Sequence, residues 1–221
     1  MMMKGTFCFG DYMLDGINVF RQSAIKIAKD KIIYFDPYKI EKAMHDADII
    51  FITHDHYDHF DVSSIENVRN NNTFIVAPFS LKDNILSIFN SEKVLLVEPN
   101  KEYEINGINF STVPSYNVNS KFHPREKNWV GYLVNIAGYS YYIMGDTDDT
   151  FEARNVHPDV LFVPVGGTYT MNSLEAFVFT NYIKPKVAVP IHYKEVIGSE
   201  QDAQYFIDNL DSDIEGVILI P

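Results

Sequence analysis

Apolar positions follow several distinct rhythms along the chain. In "SAIKIAKDKIIYFDP" (23–37), Ile25 and Ile27 alternate with polar neighbours, the period of a half-buried strand. A polar turn at Lys29–Lys31 leads into a second strand, which Asp36-Pro37 ends. "YKIEKAMHDA" (38–47) places Ile40, Ala43 and Met44 on one face of a short helix. "DIIFI" (48–52) is an unbroken apolar run, which predicts a strand covered on both faces.

Further along, the two periods alternate. Residues 61–70 read as a helix with Asp61 or Ser63 as N-cap. "TFIVAP" is a strand, "SLKDNILSIFN" a helix capped by Ser80, and "KVLLVEP" another strand. Residues 101–114 carry Asn106-Gly107 between alternating strands, a hairpin signal. A second hairpin over 130–147 turns near Ala137-Gly138. "DVLFVPV" is a buried strand, "SLEAFVFTNYI" an amphipathic helix, "KVAVPIHY" a strand, 199–210 the last long helix and "GVILI" the last strand. Helices covering strands that are buried on both faces imply a layered α/β sandwich. The 221 residues, with no repeat or linker-like stretch, suit a single domain over 1–221.

Charge and cysteine content narrow the function classes. A net charge of −12 repels phosphate backbones and anionic lipid surfaces, so neither nucleic acid nor membrane is an expected partner. It leaves room for an anionic substrate at a metal, where the local cation dominates. Cys8 is the lone cysteine, so no internal disulfide can form, and its "TFCFG" setting reads as a small core residue. The first sixteen residues lack the uninterrupted apolar run and small-residue cleavage site of a signal peptide. No stretch reaches the roughly 20 apolar residues of a membrane span. The expectation is a soluble cytoplasmic protein acting on a small molecule, with its oligomeric state open.

One segment breaks the pattern. "THDHYDHFD" (53–61) gathers three of the chain's seven histidines and three aspartates directly after an apolar strand. On a strand-like backbone His54 and His56 point to the same side, and Asp58 and His59 follow as the chain turns. Imidazole and carboxylate together suit zinc, and also manganese or iron. Two other strand ends carry ligand-type residues: Asp146 after "YYIMG" and His192 after "KVAVPI". Strand carboxyl ends are where open α/β folds bind ligands. Gly145 lets backbone approach the site closely. Singly, Asp146 reads as a turn residue and His192 as a partly buried imidazole; the joint pattern is what points to a metal site.

The order His54-Xaa-His56-Xaa-Asp58-His59, Asp146 in a Gly-Asp-Thr segment, then His192 resembles the metallo-β-lactamase superfamily over almost the whole chain. "FDP", "THDHYDHFD", "GDTD" and "IHY" look like its small stand-alone metal-dependent hydrolases, related to the ascorbate-phosphate lactonases and the N-acyl phosphatidylethanolamine phospholipase D. The resemblance implies a four-layer αββα sandwich with two divalent metal ions between the sheets, zinc first, manganese or iron as alternatives. It implies that His54, His56 and a third histidine hold one metal, that Asp58, His59 and His192 hold the other, and that Asp146 bridges them. For the third histidine the sequence offers His123; Asn117 or water could fill that place instead. The chemistry expected is hydrolysis of a small ester, lactone, amide or phosphoester by a metal-bound hydroxide, with Asp58 also orienting it as a catalytic residue. The competing reading is a non-catalytic or single-metal protein on the same fold.

The remaining polar residues have plainer expectations. Asp36 should serve a turn or orient the ligand loop, and Asp61 should cap a helix. His45 and His157 should lie at the surface. Trp129 reads as core. Residues 164–172 form either a turn before the next helix or a rim loop in which Tyr169 touches substrate. Tyr193, next to His192, is a second candidate for that contact.

Overall fold

The computed structural model describes residues 9–221, so Cys8 lies outside the described residues. The first half of the chain runs α1 (Phe9–Leu14), β1 (Ile17–Val19), β2 (Ile25–Ala28), β3 (Ile32–Phe35), β4 (Ala47–Phe51), α2 (Val62–Val68), β5 (Arg69–Pro78), α3 (Lys82–Leu86) and β6 (Val94–Val97). These six strands form one sheet in sequence order. It starts as an antiparallel meander, β1 to β3, and continues parallel from β3 to β6.

The second half runs β7 (Glu102–Ile105), β8 (Ile108–Pro114), β9 (Val130–Ile136), β10 (Tyr139–Ile143), β11 (Val160–Pro164), α4 (Ser173–Ile183), β12 (Val187–Ile191), α5 (Glu200–Asp208) and β13 (Glu215–Gly216). Its seven strands form a second sheet ordered β13-β12-β11-β10-β9-β8-β7. It repeats the plan of the first: antiparallel from β7 to β10, parallel from β10 to β13.

The sheets pack face to face, and the alternation along β4 shows how. Ile49 and Phe51 point into the core between the sheets, whereas Ile50 and Ile52 point out under α2, with Ile65 and Val68. That two-sided burial explains the unbroken apolar run at 48–52. Phe51 meets Phe110 of β8 and Tyr132 of β9 edge to face, at 5.0 and 4.9 Å between ring centres. On the far side, α4 and α5 contribute Ala176, Phe179, Ile183, Ala203 and Phe206 to the same core. The result is the layered α/β sandwich expected from the pattern, in the αββα order that the resemblance implies.

Several local expectations are corrected. Residues 38–46 form no helix: Lys39 and His45 take left-handed backbone (φ 49° at each). This segment is tied to α2 instead, with the Met44 and His45 amides donating to the Asn67 carbonyl and the Ile40 amide to Ser64 Oγ. The helix expected after Ser80 shrinks to five residues behind a 3-10 turn at Phe79–Leu81, and Ser80 does not cap it. α4 exposes Leu174, Val178 and Tyr182, so its apolar residues are not confined to one face. The last strand pairs only over Glu215–Gly216 before leaving the sheet edge. Asp61 does cap α2, accepting from the Ser63 and Ser64 amides, and Asn172 caps α4 in a capping box with Glu175.

This topology fixes where chemistry can gather. β8 and β10 are both antiparallel to β9, so they end on the same side as β11 and β12. The ends of β3 and β4 meet that side across the core. There the Val130 amide donates to the Thr53 carbonyl and the Tyr132 hydroxyl to the Ile52 carbonyl. Among the described residues, no helix is long and apolar enough to cross a membrane.

Candidate metal centre

Four strand ends deliver ligand-type side chains to one place. The loop after β4 brings His54, His56, Asp58 and His59; the loop after β8 brings His123; the turn after β10 brings Asp146; the end of β12 brings His192. They fall into two groups whose ligand atoms lie within 4.8 Å of one another: His54, His56, His123 and Asp146, and then Asp58, His59 and His192. Asp146 also reaches the second group. Its Oδ1 is 3.2 Å from His59 Nε2, and its Oδ2 is 3.0 Å from His192 Nε2 and 3.3 Å from His123 Nε2. Asp58 Oδ2 lies 3.5 Å from His59 Nε2 and 3.6 Å from His192 Nε2. All seven residues singled out in the sequence are thus neighbours, and all but His56, which is half-buried, are shielded from solvent.

Outer contacts set the tautomers. Asp36 Oδ2 accepts from the Thr53 hydroxyl (2.6 Å) and from His59 Nδ1 (2.8 Å), and Oδ1 accepts the Thr53 amide (2.8 Å). The Thr53 hydroxyl proton is therefore committed to Asp36. Its oxygen must accept from His54 Nδ1 at 2.9 Å. Asn117 Nδ2 donates to Asp148 Oδ1 and to the Tyr169 carbonyl, both at 2.8 Å, which turns its Oδ1 toward His123. That oxygen accepts from the His123 amide and from His123 Nδ1, at 3.1 and 3.0 Å. Three rings thus commit Nδ1 to an outer partner and turn Nε2 inward, the orientation metal-binding imidazoles need.

Burial and mutual charge shape the acidities. Burial alone would raise the Asp146 carboxyl, but the His192 and His59 imidazoles outweigh it and hold it well below the usual carboxylate range. Burial would likewise raise Asp58, and the adjoining His192 and His59 again pull it down. Burial pushes His54 well below the ordinary imidazole value, reinforced by His59; it lowers His56 too, with His123 adding to the effect. Burial would also lower His59 and His192, but Asp146 reverses it, lifting His59 well above its ordinary value and His192 to about 9.

These residues fit a bound cation. His54 Nε2, His59 Nε2, His123 Nε2, His192 Nε2 and Asp146 Oδ1 are buried without a hydrogen-bond partner. A buried polar atom left unpaired costs about 1–3 kcal/mol, so five aimed at one another need a common partner. Nitrogen and carboxylate donors in this mixture suit a borderline divalent ion.

The backbone is shaped for the cage. Asp36 (φ 42°) and His192 (φ 58°) hold left-handed conformations, costly for such residues and concentrated at functional sites. Gly145 has φ +67°, and a Cβ there would lie 3.1 Å from Thr53 Cβ and 3.2 Å from Ser115 Oγ. A Cβ on Gly166 would lie 2.2 Å from the His192 carbonyl oxygen, so only glycine lets β12 end where it does.

Of the residues weighed around the site, Asn117 stands behind His123 instead of facing Asp146. Trp129 is buried and packs its ring 5.0 Å from those of His54 and His56. His45 and His157 are exposed. Tyr169 lines the cavity over the ligands. Tyr193 does not: it is buried and borders a separate hollow beside α5 and the C-terminal residues. Gln22 carries no signal in the sequence. It is fully buried, its Nε2 donates to Asp58 Oδ2 at 3.2 Å, and its carbonyl accepts the His192 amide at 2.9 Å. A lone glutamine in a loop before a strand offers no periodic signal that would have revealed it.

Comparison with known proteins agrees with this geometry. Residues 17–192 match the family model of the beta-lactamase superfamily domain. A UPF0173 metal-dependent hydrolase of Thermococcus kodakarensis is 30 % identical over 215 residues, covering 90 % of this chain and 93 % of the relative. Another, of Methanosphaera stadtmanae, is 25 % identical over 225 residues, covering 93 % and 95 %. A Parabacteroides distasonis crystal structure, provisionally described as a metal-dependent hydrolase, matches with a TM-score of 0.78 at 28 % identity, over 92 % of this chain and 91 % of that one. With the family model spanning most of its length, and relatives matching nearly all of it, this chain belongs to the beta-lactamase superfamily, among the UPF0173 metal-dependent hydrolases.

Proposed function

We propose that this protein hydrolyses a small ester, lactone, amide or phosphoester with two divalent metal ions, zinc first among them. His54, His56 and His123 would hold one ion, Asp58, His59 and His192 the other, and Asp146 would reach both. The observation that carries this reading is the set of five buried, unpartnered ligand atoms aimed at one another. Bound there, divalent ions would lower the pKa of a coordinated water toward about 7 and polarise the scissile oxygen.

The chain's own part is orientation. Thr53, Asp36 and Asn117 fix which nitrogen the His54, His59 and His123 imidazoles present. Gln22 steadies Asp58, whose carboxylate stands beside the cavity and can orient the attacking water through a hydrogen bond. A small-molecule substrate in a cytoplasmic setting fits the acidic charge and the modest cavity.

Metal quantification together with ester and phosphodiester assays, with and without added zinc or manganese, tests the proposal. The expected outcome is about two equivalents of metal and activity that a chelator abolishes. One equivalent, with no turnover of any substrate by the fully loaded protein, would favour the non-catalytic alternative.

A further inference from the structure

The cavity above the ligands has a volume of about 300 Å³, at the lower end for small-molecule sites. Beyond the metal-binding side chains its walls are Tyr57, Phe122, Tyr169 and Val196. The three rings hold set positions relative to the ligands. Tyr57 lies between His56 and Asp58 in the chain, and Phe122 directly precedes His123. The Tyr169 carbonyl accepts from Asn117, the residue that orients His123. Phe122 meets Tyr169 edge to face at 4.7 Å between ring centres, and Tyr57 leans on Tyr38 at 6.2 Å. Yet Phe122 is 40 % exposed and Tyr57 65 %. Anchored but exposed aromatic surface facing a polar cluster marks a place where an apolar ligand group is covered.

Arg21 and Lys39 both pair with Glu195, at 2.7 Å each. Among the described residues, the cavity walls carry neither lysine nor arginine. A carboxylate or phosphate held away from the metals is normally gripped by such groups, and the net charge of −12 adds a repulsive field.

We propose that this cavity takes an uncharged ester or lactone whose compact apolar or aromatic acyl group sits against Tyr57, Phe122 and Tyr169. The assignment rests on the hydrolase reading and narrows it away from phosphoesters and acidic substrates. In the reaction, the oxygen of water bonds to the acyl carbon and the bond from that carbon to the alkoxy oxygen breaks. The alkoxy oxygen takes one proton of the water, and the carboxylic acid formed releases the other to solvent.

Hydroxamates, which ligate zinc without being hydrolysed, separate the wall from the chemistry. Calorimetric titration of zinc-loaded protein should show benzohydroxamate binding at least about tenfold more tightly than para-carboxybenzohydroxamate. Phe122→Ala and Tyr57→Ala should each weaken benzohydroxamate by about tenfold, with zinc content and acetohydroxamate affinity unchanged. Equal or tighter binding of the carboxylated ligand, or truncations that leave benzohydroxamate unaffected, overturns the assignment. Turnover of para-nitrophenyl butyrate should exceed that of para-nitrophenyl hemisuccinate. If the hemisuccinate is cleaved as fast, the substrate assignment falls and the hydrolase reading stands. If hydroxamates discriminate but no ester is cleaved, the ester assignment falls, the wall's preference for uncharged apolar ligands remains, and the hydrolase reading falls with the ester assignment only if phosphodiester and amide substrates are not cleaved either.

Discussion

Replacing Asp36 by asparagine changes no shape and one rule of hydrogen bonding. Asp36 is fully buried, and both of its oxygens face donors only: the Thr53 amide on one side, the Thr53 hydroxyl and His59 Nδ1 on the other. Asparagine must turn its NH2 toward one side or the other. Facing the Thr53 amide, it sets two buried donors, that amide and its own NH2, against each other, at a cost of about 1–3 kcal/mol. Facing His59, it is satisfied only if Nδ1 accepts, which moves the ring proton to Nε2. The lone pair aimed at Asp58 and Asp146 is then gone.

Either arrangement weakens metal binding at the Asp58, His59 and His192 group. Loss of an outer partner to a metal-bound histidine typically costs 10–100-fold in affinity, or about 1.4–2.7 kcal/mol. At saturating free zinc, a loss of about thirtyfold removes roughly 2 kcal/mol of metal-derived stability. For a chain of this length that lowers the melting midpoint by about 4–8 °C. Zinc titration against a chromophoric chelator gives the affinities, and the difference between midpoints in zinc and in EDTA isolates the metal-dependent part. Asp36→Asn protein that keeps both affinities within about threefold of the parent, and the same zinc-to-EDTA difference, would refute the tautomer reasoning.

Two further substitutions probe other supports of the cage. Asn117→Ala removes the oxygen that accepts from both the His123 amide and Nδ1; zinc affinity at the His54, His56 and His123 group should fall about 10–100-fold, with the other group changed far less in the same chelator titration. Gly166→Ala places a methyl 2.2 Å from the His192 carbonyl oxygen. It should cost about 1–3 kcal/mol in urea unfolding and weaken zinc uptake at the Asp58, His59 and His192 group, seen as lower zinc content at equal folded fraction.

The legibility of this chain follows the reach of each signal. The strands announce themselves because burial on both faces leaves unbroken apolar runs, as in β4. The hairpins at Asn106-Gly107 and Ala137-Gly138 are encoded by adjacent residues. Residues 38–46 mislead because their apolar spacing suits a helix, while the bonds that decide their path come from Ser64 and Asn67 in α2. The candidate ligand residues are readable because metal chemistry restricts such residues to a few types and the topology restricts them to strand ends. The residues that orient them are not, because any donor or acceptor of suitable reach would serve. Gln22 steadies Asp58 from 36 positions away, and Asp36 orients His59 from 23. Asn117 shows the same limit from the other direction. It stands near the place where the resemblance implies a third imidazole, yet the imidazole arrives six residues later and Asn117 becomes its support. Sequence spacing had to leave that choice open, because a loop of six residues brings His123 inward only when something holds its base closed. Here the holding is done by Asn117 and His123 themselves, through reciprocal bonds: the Asn117 amide donates to the His123 carbonyl, and the His123 amide to the Asn117 side chain. The inward turn of His123 is therefore a property of that closed pair of residues, and neither residue alone would have predicted it.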